Sequence, residues 1–186
     1  MSSDDWTSPI KEILYARIDS LTESELRAAI SKDSKNLIRS VLSDCIPKIA
    51  NIGRNDSKGI AAFAESFLHY LLTNALIPSQ RKITVNGICV DIVIPDVRVL
   101  ASNPQKALVL FFVRDEDTSA IRTSLEQLKK IQPTSENIWL VSKNTQSLPN
   151  RTYIVDASRN FSDILEDIRG FANSWPSSKF RIFKVS

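Results

Sequence analysis

A single histidine, His69, is all that the 186 residues contain. Histidine-based metal clusters and Ser-His catalytic arrangements therefore have little to be built from, and His69 itself is expected at a surface or boundary position. There are only two cysteines, Cys45 and Cys89, 44 positions apart, which is no metal-site spacing. Both lie in apolar surroundings and are expected to be buried free thiols, which favours an intracellular chain, cytoplasmic or nuclear/nucleoid. Four glycines occur and none forms a phosphate-cradling loop. No apolar run approaches the roughly 18 residues of a membrane span. The start, Met1-Ser2-Ser3-Asp4-Asp5, is acidic and lacks the apolar stretch of a signal peptide. No membrane partner is expected, and no internal repeat or low-complexity tract is visible.

The remaining composition suits a folded domain. Hydrophobic residues make up 42% and charged residues 24%, and a chain of this length can bury a core without covalent staples. The net charge of +3 is permissive for nucleic acid without being diagnostic. Residues 1–57 hold 8 basic and 9 acidic residues, whereas 58–186 hold 16 and 12, so the basic excess belongs to the second part. Trp6, Trp139 and Trp175 are scattered and form no aromatic platform with interleaved basic residues. Trp139, inside an apolar run, is expected in the core.

Two parts follow from the hydrophobic periods: a helical region over 1–55 and an α/β region over 56–186. In the first, Ser8-Pro9 opens a helix with Pro9 at its first position. Thr22 and Glu25 form a capping box. A further helix through Leu37, Ile38, Val41, Leu42 and Cys45 is expected to break near Pro47. The segment 53–57 is polar and serves as a linker. In the second part, 58–76 carries an apolar stripe from Ile60 through Phe67 to Leu72. Asn86-Gly87 between two apolar runs is a hairpin signal. Strands are then expected over 107–113, 138–141 and 152–155, with helices over 118–131 and 161–171. The tail 179–185 alternates basic and apolar residues and could add an edge strand.

Asp91 stands alone among apolar residues in Ile88-Cys89-Val90-Asp91-Ile92-Val93-Ile94. Such a run predicts a strand buried on both faces. A carboxylate there needs a proton, a partner or a cation.

With its order of helix, hairpin, buried strand, helix, strand, strand, and with Asp91 on the hairpin's second strand, the stretch 58–156 resembles the PD-(D/E)xK nuclease superfamily. The resemblance implies a restriction-endonuclease-like fold, a mixed central sheet flanked by helices, here with an α-helical N-terminal segment. It matches Glu65 to the superfamily's helix glutamate and Asp91 to its strand aspartate; both would ligate Mg²⁺ or Mn²⁺ in an active enzyme. It fails on the third strand, where Phe112 stands at the acidic position and Arg114 at the lysine. Phe112 cannot ligate a metal, and Arg114 is a poor proton-transfer group because it stays protonated. Asp96, Asp115, Glu116, Asp117, Glu126 and Lys129 are the groups that could stand in.

The expectation is a catalytically degenerate nuclease-fold domain, needing no cofactor, that binds nucleic acid (DNA by first choice) or a nucleic-acid-processing partner. Arg81, Lys82, Arg98, Lys179, Arg181 and Lys184 would make the nucleic-acid contacts. The alternatives are an active divalent-metal endonuclease with a migrated residue, and a protein-interaction module without nucleic-acid affinity. A homodimer is compatible with all three. On either non-cleaving reading, Asp91 is expected to pair with Arg114.

Overall fold

The computed structural model describes residues 7–174. Trp6, Trp175 and the tail bearing Lys179, Arg181 and Lys184 lie outside the described residues, as does the edge strand expected there. The helices are α1 (Thr7–Asp19), α2 (Glu23–Lys32), α3 (Ser34–Asn51), α4 (Ser57–Asn74), α5 (Val97–Ser102), α6 (Thr118–Lys129) and α7 (Ile164–Asn173). The strands are β1 (Gln80–Val85), β2 (Ile88–Ile94), β3 (Leu108–Phe112), β4 (Ile138–Ser142) and β5 (Thr152–Ile154).

Local chemistry sets many of the boundaries. Thr22 caps α2 with a full capping box: its hydroxyl accepts from Glu25 N–H, and the Glu25 carboxylate accepts from Thr22 N–H at 2.9 Å. Asp56, Asp96 and Asp117 cap α4, α5 and α6 through their carboxylates. The β1–β2 hairpin turns on Asn86 (φ 50°) and Gly87 (φ 77°), two successive left-handed residues as an Asn-Gly turn requires. One expectation fails on α3, which runs on through Pro47 instead of breaking there. Pro47 is exposed, so its ring meets little packing, and the carbonyl that loses a helical donor can turn to water.

The five strands form one mixed sheet in the order β1-β2-β3-β4-β5. The pairs β1–β2 and β2–β3 are antiparallel; β3–β4 and β4–β5 are parallel. The molecule is thus α/β, with helices on both faces. Along β3 and β4 the side chains alternate strictly. Leu108, Leu110, Phe112, Trp139 and Val141 join the core shared with α4 and α7, while Val109, Val113, Ile138 and Leu140 join the core shared with α5 and α6. Helices α1, α2 and α3 all contact α4, and α3 also meets α7. Helix α4 is therefore wrapped from both sides, which is why it is apolar almost all round. Among the described residues, no helix is long and apolar enough to cross a membrane.

The β1–β2 pair departs from regular alternation at one point. The register couples Arg81 with Ile92 and Ile83 with Val90, and skips Lys82 opposite Asp91. Lys82 has φ 50°. Ile92 belongs to the α4-side core, whereas Val90 and Ile83 belong to the α6 side. A regular strand would place residues two apart on one face. The left-handed Lys82 thus marks a change of face in both strands, and Asp91 sits at the crossing. Beyond it, β2 outruns β3, whose recorded partners are Ile92, Val93 and Ile94. The start of β2 is consequently open, and the burial expected on both faces holds only for its second half. Cys89 is exposed for this reason, against the expectation of a buried thiol, whereas Cys45 is fully buried.

Candidate functional site

The face change at Lys82 turns Arg81 toward α4, where it meets Glu65. Glu65 is only 2% exposed, and its partners come from β1 and from just past β3. Arg81 Nε donates to Glu65 Oε1 at 2.6 Å, and Arg114 Nη2 donates to Glu65 Oε2 at 2.6 Å. Arg114 Nη1 lies 2.9 Å from Asp91 Oδ1 and 3.1 Å from Oδ2. It also donates to the Phe112 carbonyl at 3.0 Å. Asp91 Oδ2 accepts from Phe112 N–H at 2.8 Å, where the β2–β3 ladder has already ended. The side chains of Asp91 and Arg114 are 17% and 37% exposed, so the cluster opens to solvent on the Arg114 side.

These four residues form one network: Glu65 from α4, Arg81 from β1, Asp91 from β2 and Arg114 just past β3. Two carboxylates face two guanidinium groups, and the formal charges sum to zero. Burial alone pulls the Arg114 pKa down, but the charges and hydrogen bonds of Asp91 and Glu65 more than offset this and leave it raised. One guanidinium therefore does between Glu65 and Asp91 what a cation would do, with geometry fixed by its planar fork. The expected Asp91–Arg114 pair is present. The depth of Glu65 goes beyond what the sequence implies, and Arg81, expected among the nucleic-acid contacts, belongs to the network. Arg81's Nε is instead committed to Glu65. Lys82 and Arg98 are exposed, Lys82 on β1 and Arg98 on α5.

None of the stand-in acids joins the network. Asp96 caps Val99 N–H of α5, and Asp117 caps Ser119 N–H of α6. Asp115 accepts from Asp117 N–H, and Glu116 accepts from the Ser57 hydroxyl at 3.1 Å. Glu126 pairs with Lys129 on the outer side of α6. Phe112 is fully buried among apolar residues. No group of three or more His, Cys, Asp or Glu side chains that could hold a metal ion occurs among the described residues. A divalent cation prefers six oxygen ligands, and Mg²⁺ gives up its water reluctantly; here it would have to displace Arg114 from two carboxylates. The donor set does not fit a catalytic Mg²⁺ or Mn²⁺.

Several cavities adjoin the network at Arg114. A cleft of about 440 Å³ runs from the hairpin tip past Cys89, Asp91 and Arg114 to Ser124 and Gln127 of α6. A second, of about 400 Å³, lies between Arg114 and the start of α4 at Asp56 and Lys58. His69 sits one helical turn after Glu65, and its Nδ1 is buried without a hydrogen-bond partner. Burial, and then the nearby Arg81 charge, hold its pKa below the ordinary imidazole value against the opposing pull of Glu65.

Compared with protein-family models, with curated proteins and with solved structures, the chain finds no match.

Proposed function

We propose that the chain is a nuclease-like domain of the PD-(D/E)xK type that does not cut, and that it acts by binding nucleic acid. The observation that carries this reading is the Arg114 guanidinium bonded to both Glu65 and Asp91. Helix glutamate, strand aspartate and the cationic residue after the next strand converge on one point, in the order the resemblance implies. The position between the carboxylates is filled by a permanent side-chain cation. Metal-assisted hydrolysis needs an ion with open positions for water and phosphate, and a bidentate arginine leaves none. The restriction-endonuclease-like fold is part of the same proposal: it is supported by the mixed sheet and by the sequence of elements from α4 to β5.

The test uses purified protein with Mg²⁺ and Mn²⁺ on single-stranded, double-stranded and branched DNA. The expected result is no metal-dependent cleavage, together with DNA binding that weakens as salt rises through counterion release. Cleavage abolished by Asp91→Ala would overturn the reading in favour of an active nuclease. Absence of DNA affinity at low salt would remove the nucleic-acid function and leave a protein-interaction role.

A further inference from the structure

Alongside β5 lies an open groove of about 510 Å³, lined by Thr152 and Ile154 of that strand and away from the Glu65–Asp91 network. Its lining includes Arg39 of α3, Thr145 of the β4–β5 loop, Ser158 and Arg159 from the segment after β5, and Asp163. Neither guanidinium group is hydrogen-bonded to any described residue. The two nearby acids are engaged elsewhere. Asp163 pairs with Lys35, and Asp156 accepts from both the N–H and the hydroxyl of Ser158, so Arg159 acts on it only through space. The groove thus carries two guanidinium groups with no hydrogen-bond partner among the described residues, and an anion there would be attracted by both. Guanidinium forks match the tetrahedral oxygens of a phosphate, and the Thr145 hydroxyl is a further donor in the wall.

We propose that the Arg39–Arg159 groove is a binding site for a phosphate group, presented either as a free phosphate or as a backbone phosphate of nucleic acid. It does not depend on the nuclease-like reading, because it shares no residue with that network. It also gives the helical N-terminal part a direct role in binding, since Arg39 comes from α3.

The experiment titrates the whole chain with inorganic phosphate, pyrophosphate and a short oligothymidylate at constant ionic strength, following the backbone amide resonances of Thr145 and Ser158. Saturable shifts are expected at these residues. Arg39→Gln and Arg159→Gln should each weaken pyrophosphate binding by about tenfold or more, as loss of a charge-assisted contact requires. Arg122→Gln, on the exposed side of α6, should leave affinity unchanged. Both arginines are in the groove wall and not in the core, so the variants should fold. Saturation by pyrophosphate alone assigns the site to free phosphates; saturation by the oligonucleotide as well assigns it to the nucleic-acid backbone. The proposal is overturned if none of the three saturates, or if the Arg122 variant weakens binding as much as the groove variants do.

Discussion

A carboxylate that is 2% exposed has to find its counter-charge inside the fold, and Glu65 finds two arginines. His69, one turn along α4, is left with the opposite problem. It sits close enough to Arg81 to feel a like charge on protonation, and its Nδ1 has no acceptor to which a proton there could be donated. Its folded-state pKa is depressed, so the unfolded chain takes up the proton first as pH falls. The stability contributed by neutral His69 is complete above the unfolded value of 6.5 and is lost as pH falls below it. The urea midpoint should therefore drop between about pH 7.5 and pH 5.5. His69→Gln, which cannot titrate, should flatten that drop; equal slopes in the two proteins would show that His69 does not contribute. At this scale the sequence named three of the four network residues, Glu65 and Arg114 through the resemblance, and missed Arg81. Asp91 betrayed itself as a lone charge in an apolar run, and Arg114, two positions after Phe112 and just past the end of β3, meets it as the sequence predicts. The depth of Glu65 was hidden, because it depends on α1–α3 covering α4, which no local period reports.

The β1–β2 hairpin shows how a single backbone angle can build a site. With φ near 50° at Lys82, Arg81 and Ile83 point to opposite cores, and Arg81 reaches Glu65. Left-handed backbone costs a residue bearing a Cβ roughly 1–2 kcal/mol, and β-branched residues tolerate it least. Strand propensity taken alone predicts that valine at position 82 would stabilise an exposed edge strand. The observed angle predicts the reverse: Lys82→Val should destabilise by about 1–2 kcal/mol, while Lys82→Gly should be neutral or slightly stabilising. Urea unfolding of the two variants decides between them, and a valine variant as stable as the parent would rule out the left-handed turn. The hairpin itself was legible from Asn86-Gly87, and α2 from Thr22 and Glu25. The distortion at Lys82 was not, because lysine carries no turn signal. Helix α5 escaped notice because six residues are too few to display a helical period. The exposure of Cys89 escaped because strand pairing, not composition, decides how far β3 covers β2.

Taken whole, the molecule draws its helical start and its α/β part into one hydrophobic core. Eleven buried side chains from α1, α2 and α3, Ile10 and Leu14 through Cys45 and Ile49, belong to the same cluster as Phe63 and Phe67 of α4, Ile92 of β2, Leu110 of β3 and Ile168 of α7. The sequence divides at the polar stretch 53–57, yet that stretch is itself tied in: Gly59 N–H donates to Asp56, the Ser57 hydroxyl donates to Glu116, and Lys143 donates to the Asn55 carbonyl. A buried aliphatic side chain is worth about 1.5–3 kcal/mol against exposure, and a domain's whole margin is only about 5–15 kcal/mol. Removing residues 1–55 would strip α4 of its outer cover and leave an apolar helix face in water. The full chain should therefore unfold in one urea transition, with the same midpoint by far-UV circular dichroism and by tryptophan fluorescence. The fragment 56–186 should be aggregation-prone or lack fixed tertiary packing, and with it the Glu65 network, whose depth depends on α4 being covered on both sides. Two separated midpoints, or a fragment with dispersed amide resonances and cooperative unfolding, would show instead that the two parts fold independently.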